Sequence, residues 1–529
     1  MSTPLLTVAN LQVEAGATAL VKGVSFSLQR GQTLALVGES GSGKTLSALS
    51  IMGLLPEGLT HTATTLRLAE HDLLALPAAG LRRLRGKRMA MIFQEPATAL
   101  NPVMTCGAQV AEMFQIHTPE LGRAVRQAKV LDLLRQVQLP NPERIARSYP
   151  HEISGGQRQR VMIAMALAHT PDLLIADEPT TALDVTVQAE ILALVKDLQQ
   201  RLGMAMLWIT HDFGVVRELA DHVVVLQHGR VVEQGPAKAV LNKPKAAYTK
   251  QLLAATLQLN AKPPAMPKAA KPLLVAEHLG HTYRRPPSWF WQRAEELRAL
   301  EEVAFTLPQG TTLGVVGESG SGKSTLARIL TRLQPAASGG RIAFLGNDFL
   351  SLKGEALRQA RREMQMVFQD PVTSLNPALD IFTTLTEPIR AHNLLPQAQW
   401  PARVADLLQQ VGLPPEAAQR YPHQFSGGQR QRIAIARALA LQPKLIIADE
   451  PVSALDVSIQ AQILELFLTL QQTLGTSYVF ISHDLRVVSH LAHQVLVLKD
   501  GKVAEYGPTA QVFGQPKAAY TKQLLKAVI

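Results

Sequence analysis

Lys44 and Lys323 occupy the same place in two near-identical octets, GESGSGKT at 38–45 and GESGSGKS at 317–324. An ammonium group beside a run of residues with little or no side chain suits an anion that offers several oxygens. Backbone N–H groups at Gly38, Ser40, Gly41 and Gly43, and at Gly317, Ser319, Gly320 and Gly322, can then turn inward on a phosphate, because nothing blocks its approach. In such a cradle the lysine reaches the β- and γ-phosphates, and the following hydroxyl, Thr45 or Ser324, is placed to ligate Mg²⁺. Two further clusters recur. LLIADEP and LIIADEP end in paired carboxylates: Asp177 and Asp449 to face the metal, Glu178 and Glu450 to polarise a water. WITHD and FISHD bring His211 and His483 to the ends of two more apolar runs, where a γ-phosphate is within reach.

These groups need rigid supports. TLALVG and TLGVVG, before the glycines, have the composition of short buried strands, and the segments after each lysine repeat apolar residues at helical spacing. Strand, glycine loop, helix is the context in which such a motif has a mechanism. LLIAD and LIIAD likewise predict buried strands, and strand alternation predicts that Asp177 and Glu178, like Asp449 and Glu450, face opposite ways.

The order of motifs repeats once. The lysines are 279 positions apart, whereas His211 and His483 are 272 apart, as are Tyr248 and Tyr520. The slippage is local: lysine to glutamine of the FQ pair is 50 residues in the first copy and 46 in the second, and that glutamine to the SGGQ serine is 60 and 57. A period this long means duplicated domains, since solenoid repeats run at about 20–50 residues. The boundaries drawn are 1–259, a linker at 260–272 rich in proline, alanine and lysine, and 273–529. With 529 residues and 47% apolar content, two sizeable cores are expected.

A net charge of +11 asks for an anionic partner without choosing among nucleotide, nucleic acid and an acidic membrane face. The basic run LRRLRGKR at 81–88 reads as a solvated helix face. Cys106 is the one cysteine, which excludes an internal disulfide and a cysteine-built metal site and reads as a small buried thiol. No apolar run approaches the length of a spanning helix, and the first residues lack a basic leader, so a cytoplasmic chain is expected.

The series GESGSGK[TS], FQ[ED]P, SGGQRQR, ADEP, ALDV and [TS]HD resembles the nucleotide-binding domain of ABC transporters, twice over and across nearly the whole chain. The resemblance implies an α/β fold of two tandem P-loop NTPase (ABC ATPase) domains, each with a RecA-like core, an antiparallel β subdomain and a helical subdomain. It implies ATP and Mg²⁺ as ligands. Ser154, Gly155 and Gly156, and Ser426, Gly427 and Gly428, would be signature motifs that each complete the site on the opposite half, in a head-to-tail sandwich. Gln94 and Gln369 would couple metal and water to the helical subdomain, and Asp184 and Asp456 would lie across the seam.

FQEPATALNP, FQDPVTSLNP and the closing AAYTKQLL segments resemble the oligopeptide/dipeptide importer branch, most like a bacterial peptide importer of the microcin C type. That implies two transmembrane permease subunits, a solute-binding protein acting through them, and a peripheral place on the cytoplasmic face of the inner membrane. A fused pair acting on ribosomes is the alternative. It wants a long charged helical linker, so no nucleic acid is expected here. In the family an aromatic near each domain's start stacks on adenine: Tyr283 fits, whereas the matching position in the first copy is Ala15, which predicts weaker ATP binding there. Trp289, Phe290 and Trp291, inserted after Tyr283, read as local packing.

Overall fold

The computed structural model describes residues 3–528 apart from 181–182, 261, 268–269, 286–294 and 454. The Trp289–Phe290–Trp291 segment therefore lies outside the described residues.

Thr33–Val37, Leu173–Asp177 and Ala205–Thr210 are strands buried at every position, as continuous apolar runs require when helices cover both faces. They lie side by side in a six-stranded sheet. Its order is Arg230–Pro236, His222–Gln227, Thr33–Val37, Ala205–Thr210, Leu173–Asp177, Met89–Ile92, and all neighbours but the first pair are parallel. The second half repeats it with Thr312–Val316, Leu445–Asp449 and Ser477–Ile481 at the centre. Because the strand order reverses beside Thr33–Val37 and Thr312–Val316, the glycine loops open from a crevice at the carboxyl ends of the strands.

Each half adds an antiparallel sheet and a helical block. In the first sheet Leu6–Ala15 pairs with Thr18–Leu28; in the second Pro272–Arg285 pairs with Glu295–Pro308. The residues by which the first copy is longer form an extra strand, Leu59–Thr62, along the end of Leu6–Ala15. The helical blocks, Cys106–Leu167 and Ile381–Leu439, pack into the same cores as the backs of the large sheets. Cys106 is fully buried there, and burial pushes its thiol up to about 11. In the basic run Arg82 and Arg83 are exposed as expected, but Arg85 turns back: its guanidinium donates to the carbonyls of Met52 and Gly53 at 2.7 and 2.5 Å, capping the first glycine-loop helix.

The halves are joined by more than the linker. Helix Ala247–Ala255 of the first half packs against Val457–Leu474 of the second, and helix Ala519–Lys526 packs reciprocally against Val185–Leu202. Beyond Ala255 the chain runs along the second half, where Leu257 joins that half's core and the Asn260 N–H donates to Ser489 Oγ at 2.9 Å. Among the described residues no helix is long and apolar enough to cross a membrane.

Candidate functional site

Each glycine loop is held open by backbone that only glycine adopts easily. Gly43 and Gly322 stand at φ 98° and 102°, immediately before helices Lys44–Met52 and Lys323–Leu330, and a Cβ on Gly322 would lie 2.5 Å from the Ala299 carbonyl oxygen. The lysines fold back onto the loops that precede them. Lys44 Nζ donates to the carbonyls of Gly38 and Glu39 at 2.7 and 2.9 Å; Lys323 does the same to Gly317 and Glu318. Burial pulls both ammonium groups below the usual lysine range, against the carboxylates around them. A phosphate that takes over these bonds meets a charge already stripped of water.

Tyr248 and Tyr520 complete the loops, a role the sequence alone did not assign them. The phenolic oxygen of Tyr248 accepts the Glu39 N–H at 3.2 Å, and that of Tyr520 accepts the Glu318 N–H at 3.1 Å. Their equal spacing with the histidines was the signal that each belongs to its own half's site.

Thr45 Oγ1 donates to Asp177 Oδ1 at 3.2 Å, and Ser324 Oγ to Asp449 Oδ1 at the same distance. Burial raises Asp177 to about 6 and pushes Asp449 up as well. A buried carboxylate bonded to a hydroxyl fits a small hard cation that draws its remaining ligands from phosphate and water.

The glutamates correct the strand argument. Each strand ends at the aspartate, and Glu178 and Glu450 take φ 45° and 47°, a left-handed conformation uncommon outside glycine. It is this reversal, with the Glu178 N–H bonded to the Ile209 carbonyl at 3.0 Å, that aims the carboxylates away from the aspartates. Glu178 Oε2 accepts from Gln94 Nε2 at 3.0 Å, and its Oε1 lies 3.3 Å from His211 Nδ1. Glu450 has the same partners in Gln369 at 3.1 Å and His483 at 3.3 Å. Gln94 and Gln369 are thus brought to the glutamates, and no bond joins them to the Thr45–Asp177 and Ser324–Asp449 pairs among the described residues. Burial works against charge on His483, yet the Glu450 carboxylate carries its pKa above the ordinary value; Glu178 does the same for His211.

The opposite half closes the cradle. Asp456 Oδ1 accepts from the Ser40 N–H at 2.9 Å and from its hydroxyl at 3.0 Å, and the Ser458 hydroxyl bonds Glu39. At the second loop Asp184 is the foremost carboxylate acting on Lys323. Ser154 and Ser426 are exposed N-caps of helices Gly155–Leu167 and Gly427–Leu439, each in a capping box with the glutamine three residues on. Gly156 and Gly428 let those helices lie on the helices that follow Asp184 and Asp456: a Cβ would meet Val187 at 2.6 Å and Ile459 at 2.4 Å. The signature serines are therefore held on helices packed directly against those that the aspartates cap.

Tyr283 and Ala15 are structurally equivalent, each five residues beyond a positive-φ residue, His278 and Asn10, in the same strand. The Tyr283 hydroxyl lies 3.3 Å from Thr325 Oγ1 and donates to Gln334 Oε1 at 2.6 Å.

The family profile described as ABC transporter matches residues 21–181 and 300–453, and that described as oligopeptide/dipeptide transporter, C-terminal region, matches 232–279. The chain is 48% identical over 540 residues to the glutathione import ATP-binding protein GsiA of Escherichia coli O157:H7, covering 96% of this chain and 86% of that protein. It is 48% identical over 531 residues to the peptidoglycan transport ATP-binding protein YejF of Agrobacterium fabrum, covering 99% and 96%. Among solved structures, the dimeric ADP- and phosphate-bound ATP-binding cassette MJ0796 aligns with 45% of this chain and 98% of its own, at 29% identity and a TM-score of 0.40. With two matched segments and relatives along its whole length, the chain belongs to the ABC transporter family, as an ATP-binding subunit with two fused nucleotide-binding domains and the oligopeptide/dipeptide transporter C-terminal region.

Proposed function

We propose that this chain powers import of a peptide, or of a small peptide-like solute such as glutathione, by hydrolysing ATP at two sites shared between its halves. The observation that carries the reading is the contact of Asp456 with Ser40 across the seam, which makes the first cradle depend on both halves, as the Asp184 carboxylate acting on Lys323 does for the second. The C-terminal region and the import relatives support the solute class. The same relatives leave the ribosomal alternative without support.

In this reading Lys44 and Lys323 surrender their carbonyl partners to the β- and γ-phosphates. Thr45 with Asp177, and Ser324 with Asp449, would hold Mg²⁺ together with Gln94 and Gln369, and the metal would supply neutralising charge to the phosphates. Glu178 and Glu450 orient the attacking water and take its proton, while His211 and His483 steady them. Ser154 and Ser426 donate to the γ-phosphate of the opposite site. Closure on ATP and release after cleavage move the helical blocks, and with them two membrane-embedded permease subunits that receive solute from a separate binding protein. The chain then works at the cytoplasmic face of the inner membrane.

Glu178→Gln and Glu450→Gln, tested in membranes with the permeases, should each lower ATP turnover by about 10²-fold or more while ATP stays bound. Uptake of labelled di- and tripeptides should fall in step. Wild-type turnover in both variants would overturn the catalytic assignment. Recovery of the chain with ribosomes rather than with permeases would overturn the transport assignment.

A further inference from the structure

Arg486 lies in the seam, in contact with Asp212 of the other half, and has no counterpart in the first half, where the equivalent residue is Gly214. Its guanidinium engages one carboxylate from each half. Nε lies 3.1 and 3.2 Å from the two Asp484 oxygens and Nη2 lies 3.0 Å from Asp484 Oδ2, while Nη2 also reaches Asp212 Oδ2 of the first half at 3.4 Å. All three side chains are less than one-fifth exposed, so water screens the triad poorly. The two carboxylates pull the guanidinium further toward its charged form.

Asp212 and Asp484 are not bystanders. Each caps the helix that starts just beyond it, accepting the Gly214 N–H at 2.7 Å and the Arg486 N–H at 2.8 Å. The aspartates' own N–H groups donate in turn to Thr210 Oγ1 and Ser482 Oγ, both at 3.0 Å. Each also follows directly on a histidine that touches a glutamate at the cleavage site. The result is an unbroken series: Glu178, His211, Asp212, Arg486, Asp484, His483, Glu450. Among the described residues its charged link from one half to the other is this rigid fork, which suits two carboxylates at once as a lysine would not.

We propose that Arg486 is a positioning residue that couples the two ATP sites by tying the histidine–aspartate segment of one to that of the other. The inference rests on the catalytic assignment of Glu178 and Glu450. A shift of His211 when its site fills or empties moves Asp212; Arg486 passes that shift to Asp484 and so to His483. Gly214 supplies no second guanidinium at the pseudo-equivalent position.

ATP turnover of the full chain in membranes with its permeases, followed against ATP concentration, tests this. Two coupled sites give a Hill coefficient above 1 and at most about 2. Arg486→Gly should bring it to about 1. The exchange Arg486→Gly with Gly214→Arg, which rebuilds the fork from the other half, should restore it. A coefficient of 1 in the unaltered chain, one unmoved by Arg486→Gly, or a loss not regained in the exchanged variant overturns the inference. The glutamate variants separate it from the assignment beneath it. If they lose turnover while Arg486→Gly keeps cooperativity, only the coupling role fails; if they keep turnover, the catalytic assignment fails and takes the coupling with it.

Discussion

Two hydroxyl contacts, to Thr325 and Gln334, hold Tyr283, the residue we propose to stack on adenine. At the equivalent places the first half has Ala15, Leu46 and Leu55. Aromatic stacking on a base is worth about 1–3 kcal/mol, so Tyr283→Ala should weaken ATP at the second site by about 5- to 150-fold, read by nucleotide titration in a Lys44→Ala background that silences the first. Ala15→Tyr should recover less than that at the first site, since neither leucine can hold the phenol upright. Cys106 gives a second test. With its thiol raised to about 11, the thiolate present at pH 8 is about a hundredfold scarcer than in the unfolded chain, so maleimide should label it only after denaturation. The sign is fixed: this thiol favours the fold below its unfolded pKa of 9.0, and the advantage is lost as pH rises toward about 11. Lys44, Thr45 and Asp177 were legible from sequence because each sits in a local motif that recurs in register in the second half, even though Thr45 and Asp177 meet across 132 residues. Arg486 was not, because its role depends on a carboxylate 274 residues away that no local pattern marks.

The signature helices show how a site is fixed by elements it does not contain. Gly427–Leu439 lies so close to Val457–Leu474 that Gly428 has no room for a methyl group, with Ile459 at 2.4 Å from where a Cβ would sit. Gly428→Ala must push the helices apart, at about 1–3 kcal/mol as for other overpacked cores. We expect a fall of several degrees in the melting temperature of the second half, followed by circular dichroism, together with slower turnover because Ser426 moves with its helix. The central strands were readable as uniform apolar runs bounded by glycine or acid. Leu59–Thr62 was not: three of the four residues in LTHT are polar, and it becomes a strand by borrowing the edge of Leu6–Ala15. The reversal at Glu178 and Glu450 also escaped a period-two argument, since a residue at φ 45° no longer belongs to the strand whose alternation was being counted.

At the scale of the whole chain the duplication was plain from two motif spacings, but not how far the halves are interlocked. AAYTKQLL reads as an ordinary amphipathic closing helix; in the structure each copy crosses to lie on the long helix of the other half, while its tyrosine holds the glycine loop of its own. The crossing helices, the Arg486 triad and the Asp456 contact bind the halves at separate points, and none of them requires the linker to be continuous. The linker's contribution is then mainly effective concentration, which matters little once many contacts are already made. A protease site placed at 263–267 should therefore leave the cleaved halves co-eluting in gel filtration without nucleotide. Adding Arg486→Gly to the cleaved chain should make them separate at lower salt than the cleaved parent, because a poorly screened charge triad has been removed from the seam. Separation of the cleaved parent at low salt would mean instead that continuity of the chain, rather than the interlocked helices, keeps the two sites assembled between rounds of hydrolysis.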